Sequence, residues 1–178
     1  MYKEILEFWF EEIDKSQWWT KDENFDERMK ERFLETHKKA VNCELYEWRK
    51  TGEGALAEII VLDQFSRNMF RDKPESFAYD SLALALSQSA IARGFDSELS
   101  PEKRSFLYMP FMHSESLVIH SVGETLFATL GNPSSIDFEK RHRAIIEKFG
   151  RYPHRNKILG RVSTPEEEAF LRQPGSSF

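Results

Sequence analysis

The stretch that decides the fold is Ala55–Phe70, ALAEIIVLDQFSRNMF, in which Ile59, Leu62, Phe65 and Met69 recur at steps of three and four. That period places them on one face of an α-helix and excludes a strand, whose faces alternate every second residue. The same period puts Asp63, Gln64, Arg67, Asn68 and, just beyond, Arg71 on a second stripe. Asp63 and Arg67 form a favourable i,i+4 pair. A charged stripe is usually a solvated face. This one is built from amides and guanidinium forks rather than lysine and glutamate, and such groups suit planar anions or buried networks.

The same reading extends in both directions. Ile5, Leu6, Trp9 and Ile13 keep helical spacing, as do Phe25, Met29, Phe33 and Ala40 before Asn42 and Cys43 interrupt them. Asp80 is placed to cap a helix reaching Arg93, with Gly94 at its C-terminal turn, and Ser100 with Pro101 opens another that Pro110 should stop or kink. Ser114 is the expected cap of a helix to about Leu130. Further helices are expected over Phe138–Phe149, with Gly150 ending it, and from Pro165 to about Arg172. No alternating strand pattern appears. The chain is expected to be all-α, with about seven to nine helices, one domain over residues 1–178 and a core of Phe8, Trp9, Phe33, Ile59, Leu62, Phe65, Leu84, Phe106, Leu117, Leu126, Ile145 and Phe149.

Charge narrows the function classes. The 178 residues carry a net charge of -5 at pH 7. That balance speaks against bulk nucleic-acid binding, which needs a broad basic face. Positive charge is local: between Arg141 and Arg161 there are seven Lys or Arg residues and one acid, Glu147. Cys43 is the one cysteine, so an intramolecular disulfide or cysteine-based zinc cluster is excluded and a reducing compartment fits. No segment approaches the ~20 apolar residues that span a bilayer, and a soluble, cytoplasmic protein is expected.

Within the basic region, Gly150–Glu168 reads GRYPHRNKILGRVSTPEEE. Arg151, His154, Arg155, Lys157 and Arg161 precede Thr164, Pro165 and Glu167, the cap, first-turn proline and capping-box acid of a helix. A cationic loop feeding a helix N-terminus is a natural anion site. A third polar group follows Pro110: His113 and Glu115, with His120 further on, inside the apolar sequence FLYMPFMHSESLVIH. His142 lies on an apolar face with Glu139 three residues before it. One Glu-x-x-His pair is too little for a di-iron site, and no metal or other cofactor is expected.

LEFWF (6–10), LDQFSRN (62–68), PFMHSE (110–115), FGRYPHRNKILGR (149–161) and STPEE (163–167) resemble the motifs of the bacterial family called domain of unknown function 924. Ser66 stands where that family commonly has proline. The resemblance spans nearly the whole chain. It implies a tetratricopeptide-like α-α superhelix and a cytosolic bacterial setting, and it implies no reaction. Such a superhelix would let the three polar groups face one groove. The expected function is a pocket for a small carboxylate or phosphate, held by Gln64, Arg67, Asn68, Arg71, Glu115, Arg151, Arg155 and Arg161, with His113 or His154 able to move a proton. The alternative is a scaffold whose arginines clamp an acidic peptide. Neither a membrane nor nucleic acid is an expected partner, and the sequence is silent on oligomeric state and on whether there is a reaction at all.

Overall fold

A computed structural model describes residues 1–177, and all regular structure among them is helical. The helices are α1 (Tyr2–Glu7), α2 (Glu23–Val41), α3 (Gly52–Ile60), α4 (Ser66–Met69), α5 (Asp80–Ala92), α6 (Pro101–Met112), α7 (Leu117–Ala128), α8 (Pro133–Phe149) and α9 (Pro165–Leu171). The helical stretch read from Ala55–Phe70 is α3 and α4, joined without a break by a π-helical turn over Val61–Phe65. None of these helices is long and apolar enough to cross a membrane.

The residues gather into two compact units, one of Met1–Arg71 and Glu75–Pro110, the other of Asp72–Pro74 and the chain from Phe111 onward. In the first unit the apolar stripe of α3 and its π-turn is fully enclosed: Ile59, Leu62 and Phe65 have no exposed surface. Phe65 meets the rings of Phe8, Trp9 and Phe33 at centroid distances of 5.9, 5.6 and 5.2 Å. Such offset and edge contacts add to the area these rings bury. Ser66, at the end of the π-turn, donates its hydroxyl to Leu62 O at 2.6 Å. Its oxygen therefore accepts from His37 Nε2, 2.8 Å away on α2. Burial without a charged partner pushes His37 down to about 4.

Pro110 does not stop the helix; α6 runs through it to Met112, two residues on. An interior proline costs about 3 kcal/mol. Phe106, Leu107, Tyr108, Met109, Phe111 and Met112 are all buried, and each such side chain stabilises by roughly 1.5–3 kcal/mol, so packing outweighs the lost bond. Asp80 does not cap α5 either: Tyr79 holds that position, and the Asp80 carboxylate is drawn to Arg67. Ser116 rather than Ser114 precedes α7.

In the second unit α7 packs on α8 through His120, Gly123 and Phe127. A Cβ at Gly123 would lie 3.0 Å from Glu139 Oε1 and 3.3 Å from Phe111 Cβ, so glycine sets how closely the helices approach. Ile145, Ile146 and Tyr152 form the buried centre, with Phe149 and Phe170 half-buried against it. Gly150 adopts φ 68°, the left-handed geometry that ends α8. The expected core is corrected at Leu117, which is 42% exposed because it opens α7 and has no preceding turn to shield it. Leu84, Leu126 and Phe149 are half-buried.

Candidate functional site

The sequence-derived residues fall into two sets, one in each unit. In the first unit the polar stripe is held by carboxylates of other helices. Arg67 Nη1 donates to Asp63 O and Oδ1 at 2.9 and 3.0 Å, and its two terminal nitrogens donate to both oxygens of Asp80 at 2.9 and 3.0 Å. Arg71 grips Asp26 on α2 with Nε and Nη2 at 2.6 and 2.9 Å, and Asn68 donates to the same carboxylate at 2.8 Å. Gln64 donates to Asp63 and to Met109 Sδ. The stripe is thus no solvated face: Asp63 and Gln64 are buried, and their neighbours tie α4 to α2 and α5.

In the second unit, residues from two separate segments meet around Tyr152. Glu115 receives the Arg161 fork at 2.7 and 2.9 Å and the Tyr152 N–H at 2.7 Å. Burial works to raise the Glu115 carboxyl, but the Arg161 bonds, the Tyr152 N–H and the Arg155 charge together hold it below the usual carboxylate range. Arg161 also donates to Asn156 Oδ1 and Tyr152 O. Arg151 is bidentate to Glu167 at 2.7 and 2.8 Å. Glu167 closes the expected capping box with Thr164, and Asn156 donates to it as well. The Arg151 fork, opposed by partial desolvation and helped by Thr164 N–H, brings the Glu167 carboxyl down to about 2.

Arg155 is buried, with its guanidinium 4.6 Å from the Tyr152 ring centroid and Nη2 donating to His113 O at 3.1 Å. His113 and His154 are part-exposed. The His154 ring lies 5.6 Å from that of Tyr152, and His142 lies 5.9 Å from it on the other helix. His142 donates from Nδ1 to Phe138 O, 2.7 Å away. Burial, with the nearby charges of His113, His120 and His154, pushes His142 down to about 3. His120, His142 and His154 therefore stand around one tyrosine, with the His113 carbonyl held by Arg155 beside it; the sequence expects His113, His120 and His154 to face one groove and leaves His142 apart. His120 is grouped with His113 and Glu115 in the sequence; Glu139, Tyr152 and Asn156 are the polar members that sequence reasoning does not place here.

Two concavities are bordered by other residues of the first unit. One, of about 20 Å³, lies among Arg49, Glu58, Arg93 and Phe95; the other is an open groove of about 180 Å³ beside Lys3, Phe10, Glu53 and Lys103. Neither includes a sequence-derived site residue. No group of three or more His, Cys, Asp or Glu among the described residues has the geometry to hold a metal ion.

Two outcomes follow from these contacts. Arg67→Ala takes the guanidinium away from Asp63 and Asp80 in a largely dry setting and should lower the unfolding free energy by at least about 2 kcal/mol in urea titrations; a loss under about 0.5 kcal/mol would mean a solvated pair. His37 and His142 are held neutral in the fold but take up protons at an ordinary pKa near 6.5 when unfolded. The unfolded chain then binds more protons as pH falls from about 6.5 toward 4, so stability should drop by up to about 1.4 kcal/mol per pH unit for each group. His142→Gln should flatten that fall by one proton, and an unchanged slope would contradict the assignment.

Comparison with known proteins gives the chain a family and no activity. The model of the family described as "Bacterial protein of unknown function (DUF924)" matches residues 5–175. No curated protein matches. A solved protein of unknown function from Agrobacterium tumefaciens is 38% identical, with 96% of each chain covered and a TM-score of 0.91. Motifs, fold and coverage agree, and the chain belongs to this bacterial family of unknown function.

Proposed function

We propose that the second unit carries a binding site for a small carboxylate or phosphate at His113, Tyr152 and His154, with the two histidines able to exchange a proton with the ligand. The observation that carries this reading is convergence: part-exposed His113 after α6 and part-exposed His154 on the 153–155 turn lie in one cluster, with the buried Arg155 guanidinium among them. Imidazoles change charge near neutral pH and so suit proton exchange. In this reading Arg151, Arg161 and Glu115 are the frame. Arg151 is paired with Glu167 and Arg161 with Glu115, and a ligand would lie beside the Arg155 guanidinium and the two histidines. Gln64, Arg67, Asn68 and Arg71 serve as a brace within the first unit. A single cysteine and the bacterial family support a cytoplasmic setting.

A second reading is a tetratricopeptide-like superhelix that docks an acidic peptide. The exposed apolar residues Val118 and Val122 on α7, 74% and 45% exposed, favour it, since a peptide partner would cover them.

Thermal unfolding with added inorganic phosphate or succinate distinguishes the readings. A ligand at 100 times its Kd stabilises the native state by about 2.7 kcal/mol. The small-ligand site predicts a rise in Tm beyond that produced by chloride at equal ionic strength, lost in His113→Ala and His154→Ala. Binding of an acidic peptide without any response to the free anions would favour the scaffold. No response to either would reject both.

A further inference from the structure

Behind Tyr152, His120 and Glu139 form a titratable pair with no exposed surface on either side chain. His120 Nδ1 lies 2.6 Å from Glu139 Oε1. On the far side of the ring, Nε2 faces Ser114 O at 2.9 Å and Tyr152 Oη at 3.2 Å. The Tyr152 hydroxyl gives its hydrogen to Met112 O at 2.6 Å, so toward His120 that oxygen accepts. Nε2 therefore meets two acceptors and carries a hydrogen.

That assignment fixes the other side. A neutral ring with its hydrogen on Nε2 has a lone pair at Nδ1. Facing an ionised Glu139 at 2.6 Å, that lone pair would repel the carboxylate unless a proton lay between them. The second oxygen tells the same story. Glu139 Oε2 is buried with no hydrogen-bond partner. An enclosed, unbonded oxygen is far less costly on a carboxyl group whose charge is neutralised by a proton than on an isolated anion.

We propose that His120 and Glu139 hold one proton between Nδ1 and Oε1 at neutral and mildly alkaline pH, and that the chain takes this proton from solvent when it folds. Other charged groups face the pair. Arg143 on α8 and Glu124 on α7 are paired to each other, so their effects on Glu139 oppose; His142 lies on α8, and Tyr152 stands over the His120 ring. Burial raises the Glu139 carboxyl, and the hydrogen bond from His120 works against that rise. When the chain unfolds, a histidine near 6.5 and a glutamate near 4.3 hold no such proton above about pH 7. The folded chain then binds one proton more than the unfolded chain, and stability falls as pH rises.

The test is urea unfolding of the full chain between pH 7 and pH 8, for wild type and Glu139→Gln. A glutamine amide donates to Nδ1 without an added proton and keeps the shape of the site. The folding constant of the wild type should fall up to tenfold more over that unit than the constant of the variant. Equal pH dependence in the two proteins would overturn the proposal. If Glu139→Gln does not fold, the wild type alone decides by NMR. A strongly downfield ring proton of His120 that persists at pH 8 is expected. A bare Nδ1 at that pH would refute the shared proton.

Discussion

A carboxylate removed from water must be met by a guanidinium, a row of N–H donors or a proton, and the arrangement of this protein depends on how that demand is satisfied. Asp26 is met by Arg71 and Asn68, Asp63 and Asp80 by Arg67, and Glu58 by both arms of Arg49. In the second unit Glu115 is met by Arg161, and Glu167 by Arg151. Glu139, which has no guanidinium on it, is met by a histidine. Two of these ion pairs, Asp26–Arg71 and Glu115–Arg161, join residues more than forty apart, so each closes a loop of chain as it neutralises a charge.

This pairing explains why the motif arginines invite a binding-site reading. A guanidinium fork recognises a carboxylate in the same way whether it belongs to a ligand or to the chain. Residue type alone does not separate the two cases. The geometry assigns Arg67, Arg71, Arg151 and Arg161 to internal partners.

How far the sequence could be read follows the range of each interaction. The helices of Ala55–Phe70 and Glu23–Val41, the left-handed Gly150 and the Thr164–Glu167 capping box depend on neighbours within four residues, and all are legible. Pro110 does not end its helix, as local chemistry alone would have it, because six buried side chains around it hold the helix together. Asp80 was read as a cap because its partner Arg67, thirteen residues away, is invisible to a local rule. His142 stays outside the expected groove for the same reason: it reaches Tyr152 only through the packing of α8. The family could be recognised from its long motifs, and its members carry no established activity that would name a ligand.

The motif arginines are held by the protein's own carboxylates, and a double-mutant cycle on Glu115 and Arg161 measures how firmly. Unfolding free energies of Glu115→Ala, Arg161→Ala and the double variant give the coupling of the pair with unrelated losses cancelled. The account predicts a coupling of about 1.5 kcal/mol or more, as for a bidentate pair with most of its surface out of water. A coupling of about 0.5 kcal/mol or less, the range of exposed ion pairs, would contradict it.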